Sequence, residues 1–88
     1  MKTIYKYPLH IKKKQTIELP VDFTFLSVQL QEGVGRIVLW AAVETDNPMR
    51  RWDIHMYGTG WKIEGQVLQR YLGTVQLEGL VWHYFGSR

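Results

Sequence analysis

The apolar residues of this chain recur with a period of two. In "FLSVQLQ", residues 25–31, Leu26, Val28 and Leu30 alternate with Ser27, Gln29 and Gln31. In "RRWDIHMYG", residues 50–58, Trp52, Ile54 and Met56 alternate with Arg51, Asp53, His55 and Tyr57. Successive side chains of a β-strand point to opposite faces of a sheet, so each segment has one core face and one polar face. No segment sustains the 3.6-residue spacing of an amphipathic helix. The pattern therefore predicts an all-β chain.

Other short apolar runs lie between turn residues: "TIYKYPL", "QTIELP", "RIVLWAAVE", "YLGTVQLEG" and "LVWHYFG". Pro8 offers no ladder donor, which places the first run at a sheet edge or ends it there. The glycines of "EGVGR" predict an antiparallel hairpin between residues 25–31 and 36–44, and Glu78-Gly79 predicts a second hairpin between the last two runs. The run "RIVLWAAVE" is apolar on both faces and reads as a central strand, covered on both sides or meeting a partner on one. Six or seven antiparallel strands imply a small meander, sandwich or partly open barrel. The only helix candidate is "WKIEGQVLQR", one or two turns at most, weakened by Gly65.

A chain of 88 residues suits a single domain spanning residues 1–88. A domain of this size buries only about 60 to 65% of its unfolded surface, leaving little core to sacrifice to a deep cleft. Hydrophobic residues make up 45% and aromatics 14%, which separates the chain from disordered segments. It contains no cysteine, so neither a disulfide framework nor a thiolate nucleophile is available, and its three histidines lack metal-ligand spacing. No cofactor or metal is expected. "MKTIYKYPLHIKKKQ" has no apolar stretch that would read as a signal or membrane span, so a cytosolic setting is expected.

The net charge is +3, and Lys2, Lys6, Lys12, Lys13 and Lys14 fall within the first 17 residues, where there is no acid. Lys12, Lys13 and Lys14 read as a solvated turn or as a contact for a polyanion. The stretch "HMYGTGWKIEG" offers a second cationic feature. Backbone amides of Gly58, Thr59 and Gly60 could form a nest for an anion, with Arg51 and Lys62 as countercharge and Tyr57 or Trp61 stacking on a base. The bland alternative is a turn at a strand end. A G-x-G without a third glycine and a following helix is not a dinucleotide fingerprint.

Asp53 and His55 project from one strand face, where the carboxylate could orient the imidazole for acid–base work, but a catalytic reading lacks a nucleophile or metal. His83 reads as a partly buried sheet histidine. Trp40 and Trp52 lie within strands and are expected in the core, whereas Trp61 leaves the glycine turn and either caps the core or meets a ligand. "MYGTG" and "RYLGTV" echo each other, yet five residues are too few to argue a duplication. The apolar faces of "RIVLWAAV" and "LVWHYF" exceed what so small a fold covers, and predict a homo-oligomer.

Taken in order, "YKYPL", "LSVQLQ", "VLWAAVE", "YGTGW" and "YLGTVQLEGLVWHYF" resemble a family of short proteins of unknown function encoded by bacteriophages and prophages. The resemblance spans nearly the whole chain and carries over no catalytic residue. It implies a setting: small phage accessory proteins act by blocking a host-defence protein or by sequestering a nucleotide signal. The expectation is a non-enzymatic binding protein of this kind, with a small nucleic-acid-binding module and a virion assembly protein as alternatives.

Overall fold

In the computed structural model, which describes residues 1–31, 36–63 and 70–87, the period-two segments form seven strands. These are β1 (Lys2–Leu9), β2 (Lys14–Pro20), β3 (Thr24–Gln31), β4 (Arg36–Glu44), β5 (Met49–Gly58), β6 (Arg70–Leu77) and β7 (Leu80–Ser87). They pair antiparallel into a three-stranded sheet, β1-β4-β3, and a four-stranded sheet, β2-β5-β7-β6. The sheets pack as an open sandwich and are not closed into a barrel. There is no helix among the described residues; most of the 61–70 helix candidate, residues 64–69, lies outside them.

The core is the sum of the two inward faces. Ile37, Leu39, Ala41 and Val43 of β4 meet Ile54 and Met56 of β5, Leu72 and Val75 of β6, and Tyr84 of β7. Burying an aliphatic side chain is worth about 1.5–3 kcal/mol, and this row is what holds the two sheets together. As the alternation predicts, β5 turns Trp52, Ile54 and Met56 inward, and β6 turns Val75 and Leu77 inward. The β6–β7 hairpin turns at Glu78 (φ 52°) and Gly79 (φ 80°), the two positive φ values of a type I′ turn.

Two expectations are corrected. A β-bulge between Phe25 and Ser27 shifts the register of β3 against β4, so Phe25 packs against the core and Leu26 is left 46% exposed. Trp40 is not a core residue. Strand β4 is central, as its two apolar faces suggest, but its inward face is Ile37, Leu39, Ala41 and Val43, which leaves Trp40 on the outer face beneath Lys6. Trp52 does pack against the core, edge-on to Phe23 at 5.1 Å.

Along one side the sandwich closes where β6 approaches β3, and a Cβ on Gly73 would stand 3.1 Å from the Val28 Cβ and 3.2 Å from its carbonyl oxygen. Edge strand β1 carries Pro8, in keeping with a strand that pairs on one side only. The Cα extents of 40 × 35 × 16 Å make this a flat molecule whose surface is dominated by two outer sheet faces. Among the described residues no helix is long and apolar enough to cross a membrane.

Candidate functional site

Strand β2 is shorter than the strand it pairs with. Its ladder with β5 runs from Pro20↔Met49 to Lys14↔His55, and the Met56 N–H donates to the Lys13 carbonyl at 2.9 Å. Beyond that point β5 continues to Gly58 without a β2 neighbour. The resulting notch is an open cleft of about 580 Å³ lined by Lys13, Lys14, His55, Met56, Tyr57, Trp61 and Lys62.

One wall is the bend "HIKKKQ", held from below by Gln15. Its buried amide accepts from the His10 N–H at 3.0 Å and donates to the His10 carbonyl at 2.8 Å. The fully buried Tyr84 hydroxyl donates to the same carbonyl at 3.2 Å, and burial pushes its phenol up to about 12. The lysine bend is thus anchored to the core by neutral hydrogen bonds. Its cations project from a fixed backbone.

The other wall follows the glycine turn. The Trp61 N–H donates to the Gly58 carbonyl at 3.1 Å across a turn whose third residue, Gly60, has φ 89°, a value that L side chains rarely adopt. The turn folds the Trp61 ring back over Gly58, where a Cβ would come within 2.8 Å of it. There it stands edge-to-face with Trp82, with ring centroids 5.6 Å apart. The buried Trp82 indole nitrogen has no hydrogen-bond partner. The Lys13 ammonium lies 5.8 Å from the Trp61 ring centroid, within cation–π range, so the two walls meet through a cation and an indole. Trp61 remains 44% exposed. It caps the end of the core and also faces the cleft.

The structure divides the residues singled out in the sequence. Tyr57, Trp61 and Lys62 of the glycine stretch join Lys13 and Lys14 of the lysine bend in one cleft. Lys12 is exposed and does not line it. Arg51 faces outward opposite Glu18, about 20 Å along β5 from Tyr57, and cannot serve the same ligand phosphate. Gly58, Thr59 and Gly60 form the turn that ends β5 and do not line this cleft, and the Thr59 hydroxyl lies 2.7 Å from His83 Nε2.

Asp53 and His55 share a strand face as expected, and each is hydrogen-bonded to another residue. Asp53 accepts from the Thr16 hydroxyl at 3.1 Å and faces the Lys14 ammonium at 3.7 Å, while His55 Nε2 meets the Ser87 hydroxyl at 3.1 Å. Burial lowers the His55 pKa, and the Lys14 charge acts in the same direction against the opposing Asp53 carboxylate. Among the described residues no group of three metal-ligating side chains gathers.

Sequence reading missed what lies beside the cleft. On the outer face of the four-stranded sheet, His55 is registered against Phe85, Phe85 against Tyr71, and Tyr57 against His83. The Phe85 ring lies 6.1 Å from Tyr57 and 5.6 Å from Tyr71. His83 is fixed between Thr59 and Thr74, whose hydroxyls lie 2.7 and 3.0 Å from its two ring nitrogens. The two Gly-Thr steps that echo in the sequence therefore grip the same histidine. The signal was available in the alternation of "LVWHYF", which puts His83 and Phe85 on the face opposite Tyr84.

No curated protein and no solved structure matches this chain. A family model, described as a domain of unknown function (DUF7352), matches residues 1–88. Spanning the whole chain, that match places the protein in the DUF7352 family, as one of its members.

Proposed function

We propose that this protein captures a nucleotide without transforming it, holding phosphate against Lys13, Lys14 and Lys62 and a base against Trp61 or Tyr57. The observation that carries the reading is the cleft itself, which brings three lysines, an exposed indole and a phenol together from separate parts of the sequence. Phosphate calls for cations and a base calls for a π-face, and stacking on an aromatic side chain is worth about 1–3 kcal/mol per base. His55 also lines the cleft, and a bound anion would favour its protonated form. In the phage-accessory setting suggested by the resemblance, such capture would withhold a nucleotide signal from a host-defence system, within the cytosol of the host.

Calorimetry and tryptophan fluorescence of the purified protein against dTMP, ADP and cyclic di-AMP test the reading. Binding of at least one, weakened by Trp61→Ala, is expected. No heat and no quenching with any of the three would end it.

The outer face of the three-stranded sheet supports a second element of the proposal, self-association. It presents Ile4 at 59% exposure, the exposed Pro8 and the half-buried Trp40, and the bulge leaves Leu26 exposed nearby. A second copy packed on this face would bury its exposed apolar residues. Light scattering should give a mass above 10.4 kDa that falls toward it in Trp40→Asp.

A further inference from the structure

The outer face of the four-stranded sheet is unusual for a face turned to solvent. Strands with one wet face place polar residues there, yet this face carries Tyr57, His55, His83, Phe85 and Tyr71 as a contiguous group across β5, β7 and β6. Two adjacent rows hold them: Lys14–His55–Phe85–Tyr71, and Tyr57–His83–Thr74. Tyr71 is 57% exposed although it sits over a packed sheet. Its hydroxyl is bonded to that of Thr74, which also meets His83, so the ring is oriented rather than loose.

Tyr57 belongs to this group and to the cleft at once. The rings therefore begin where the lysines are and run away from them over about 10 Å, two interstrand spacings. Cations at one end and a track of π-faces leading from it complement a strand of nucleotides: a phosphate meets the lysines, and successive bases lie across the sheet. Aromatic side chains on a four-stranded antiparallel sheet stack two or three bases in RNA-recognition modules, by this same division of labour. A lone nucleotide would occupy the cleft and leave Phe85 and Tyr71 unused.

We infer that the ligand of this site is a short single-stranded nucleic acid, with one nucleotide in the lysine cleft and the following two or three bases stacked across Tyr57, Phe85 and Tyr71. The inference rests on the capture reading and extends it from a mononucleotide to an oligonucleotide. It assigns binding roles to Phe85 and Tyr71, which lie outside the cleft.

The test is a titration of the full chain at 50 mM salt with dTMP, (dT)2, (dT)4 and (dT)8, repeated with the matching oligouridylates. Affinity should rise at least tenfold from dTMP to (dT)4 and level off by (dT)8. Tyr71→Ala, on an exposed edge position, and Phe85→Leu, which keeps apolar bulk but removes the π-face, should each weaken (dT)4 by roughly 5- to 150-fold, the weight of one stacked base, and leave dTMP unchanged. If three lysines neutralise phosphates, log affinity for (dT)4 should fall with log salt at a slope of about −2. Preference for thymidylates or uridylates supports the track either way and names DNA or RNA as the source. Equal binding of dTMP and (dT)4, or variants without effect on (dT)4, would overturn the inference while leaving mononucleotide capture intact. No binding by any member of the series would also overturn the inference, and mononucleotide capture would then be decided by ADP and cyclic di-AMP.

Discussion

The two outer faces of the sandwich are built from the same kind of strand and present opposite chemistry. On the three-stranded sheet, Ile4, Pro8 and Trp40 make an apolar surface crossed by Lys6, which reaches 3.2 Å to Gln31 and 6.0 Å to the Trp40 ring. On the four-stranded sheet, aromatic rings are interleaved with hydroxyls and imidazoles that hydrogen-bond one another, and a cationic notch opens at one edge. Each sheet has a tryptophan with a lysine about 6 Å above it, Trp40 on the outer face of one and Trp61 in the turn at the end of β5 in the other. The lesson is that the motif does not define the site. Lys6 and Trp40 face each other midway along a continuous strand pair, whereas Lys13 and Trp61 flank a gap left by a strand that ends early.

Ligand binding should separate the faces most sharply. Trp61→Ala is expected to weaken cyclic di-AMP binding by about 1–3 kcal/mol, roughly 5- to 150-fold, while Trp40→Ala changes it less than about twofold, as calorimetry would register. A loss of binding in Trp40→Ala alone would move the site to the other sheet. Next in size is the anchoring of the lysine bend. Gln15→Ala removes the two hydrogen bonds to His10 and should cost about 1–3 kcal/mol in denaturant unfolding. The exposed Gln29, on the apolar face, should change stability by no more than about 0.5 kcal/mol when replaced by alanine.

Charge gives a smaller contrast. Lys13→Ala should flatten the salt dependence of (dT)4 binding by about 0.7 in log–log slope, one phosphate's share, whereas Lys6→Ala should leave it unaltered. The smallest effect is with pH. The folded protein holds the His55 pKa below its ordinary 6.5, so folding is opposed by protonation: stability is full above that value and falls as pH drops through it. A bound phosphodiester, which does not itself titrate there, favours the imidazolium. Affinity for cyclic di-AMP should therefore rise over the same interval in which stability falls, and His55→Gln should remove both trends.

How far the sequence revealed this arrangement depended on how local each feature was. The alternation over residues 50–58 was legible because β5 is an inner strand with one core face and one outer face, so period two survives intact. The edge position of the Pro8 strand and the Glu78-Gly79 turn were legible for the same reason, since each is decided by the residues themselves. Leu26 was not. A bulge is an extra residue relative to a partner, and only the pairing of β3 with β4 determines where it falls. Trp40 was misplaced because a strand apolar on both faces does not say which face is inward.

The site was legible in its parts and hidden in its assembly. Tyr57, Trp61, Lys62, Lys13 and Lys14 were each singled out, yet their meeting depends on β2 pairing with β5 in the register that sets Lys14 opposite His55. Arg51 was grouped with them by proximity in sequence, and the extended backbone carries it away. The histidine clamp needs two Gly-Thr steps from different strands, and no local reading connects them.

The most direct test of the central claim, that the notch at the end of β5 binds nucleotide, is a two-dimensional NMR titration of nitrogen-labelled protein with cyclic di-AMP. The indole N–H of Trp61 and the amides of Lys13, Lys14 and Tyr57 should shift with a common dissociation constant, while the indole N–H of Trp40 stays in place. Movement of Trp40 without Trp61, or a spectrum unchanged at saturating ligand, would contradict it.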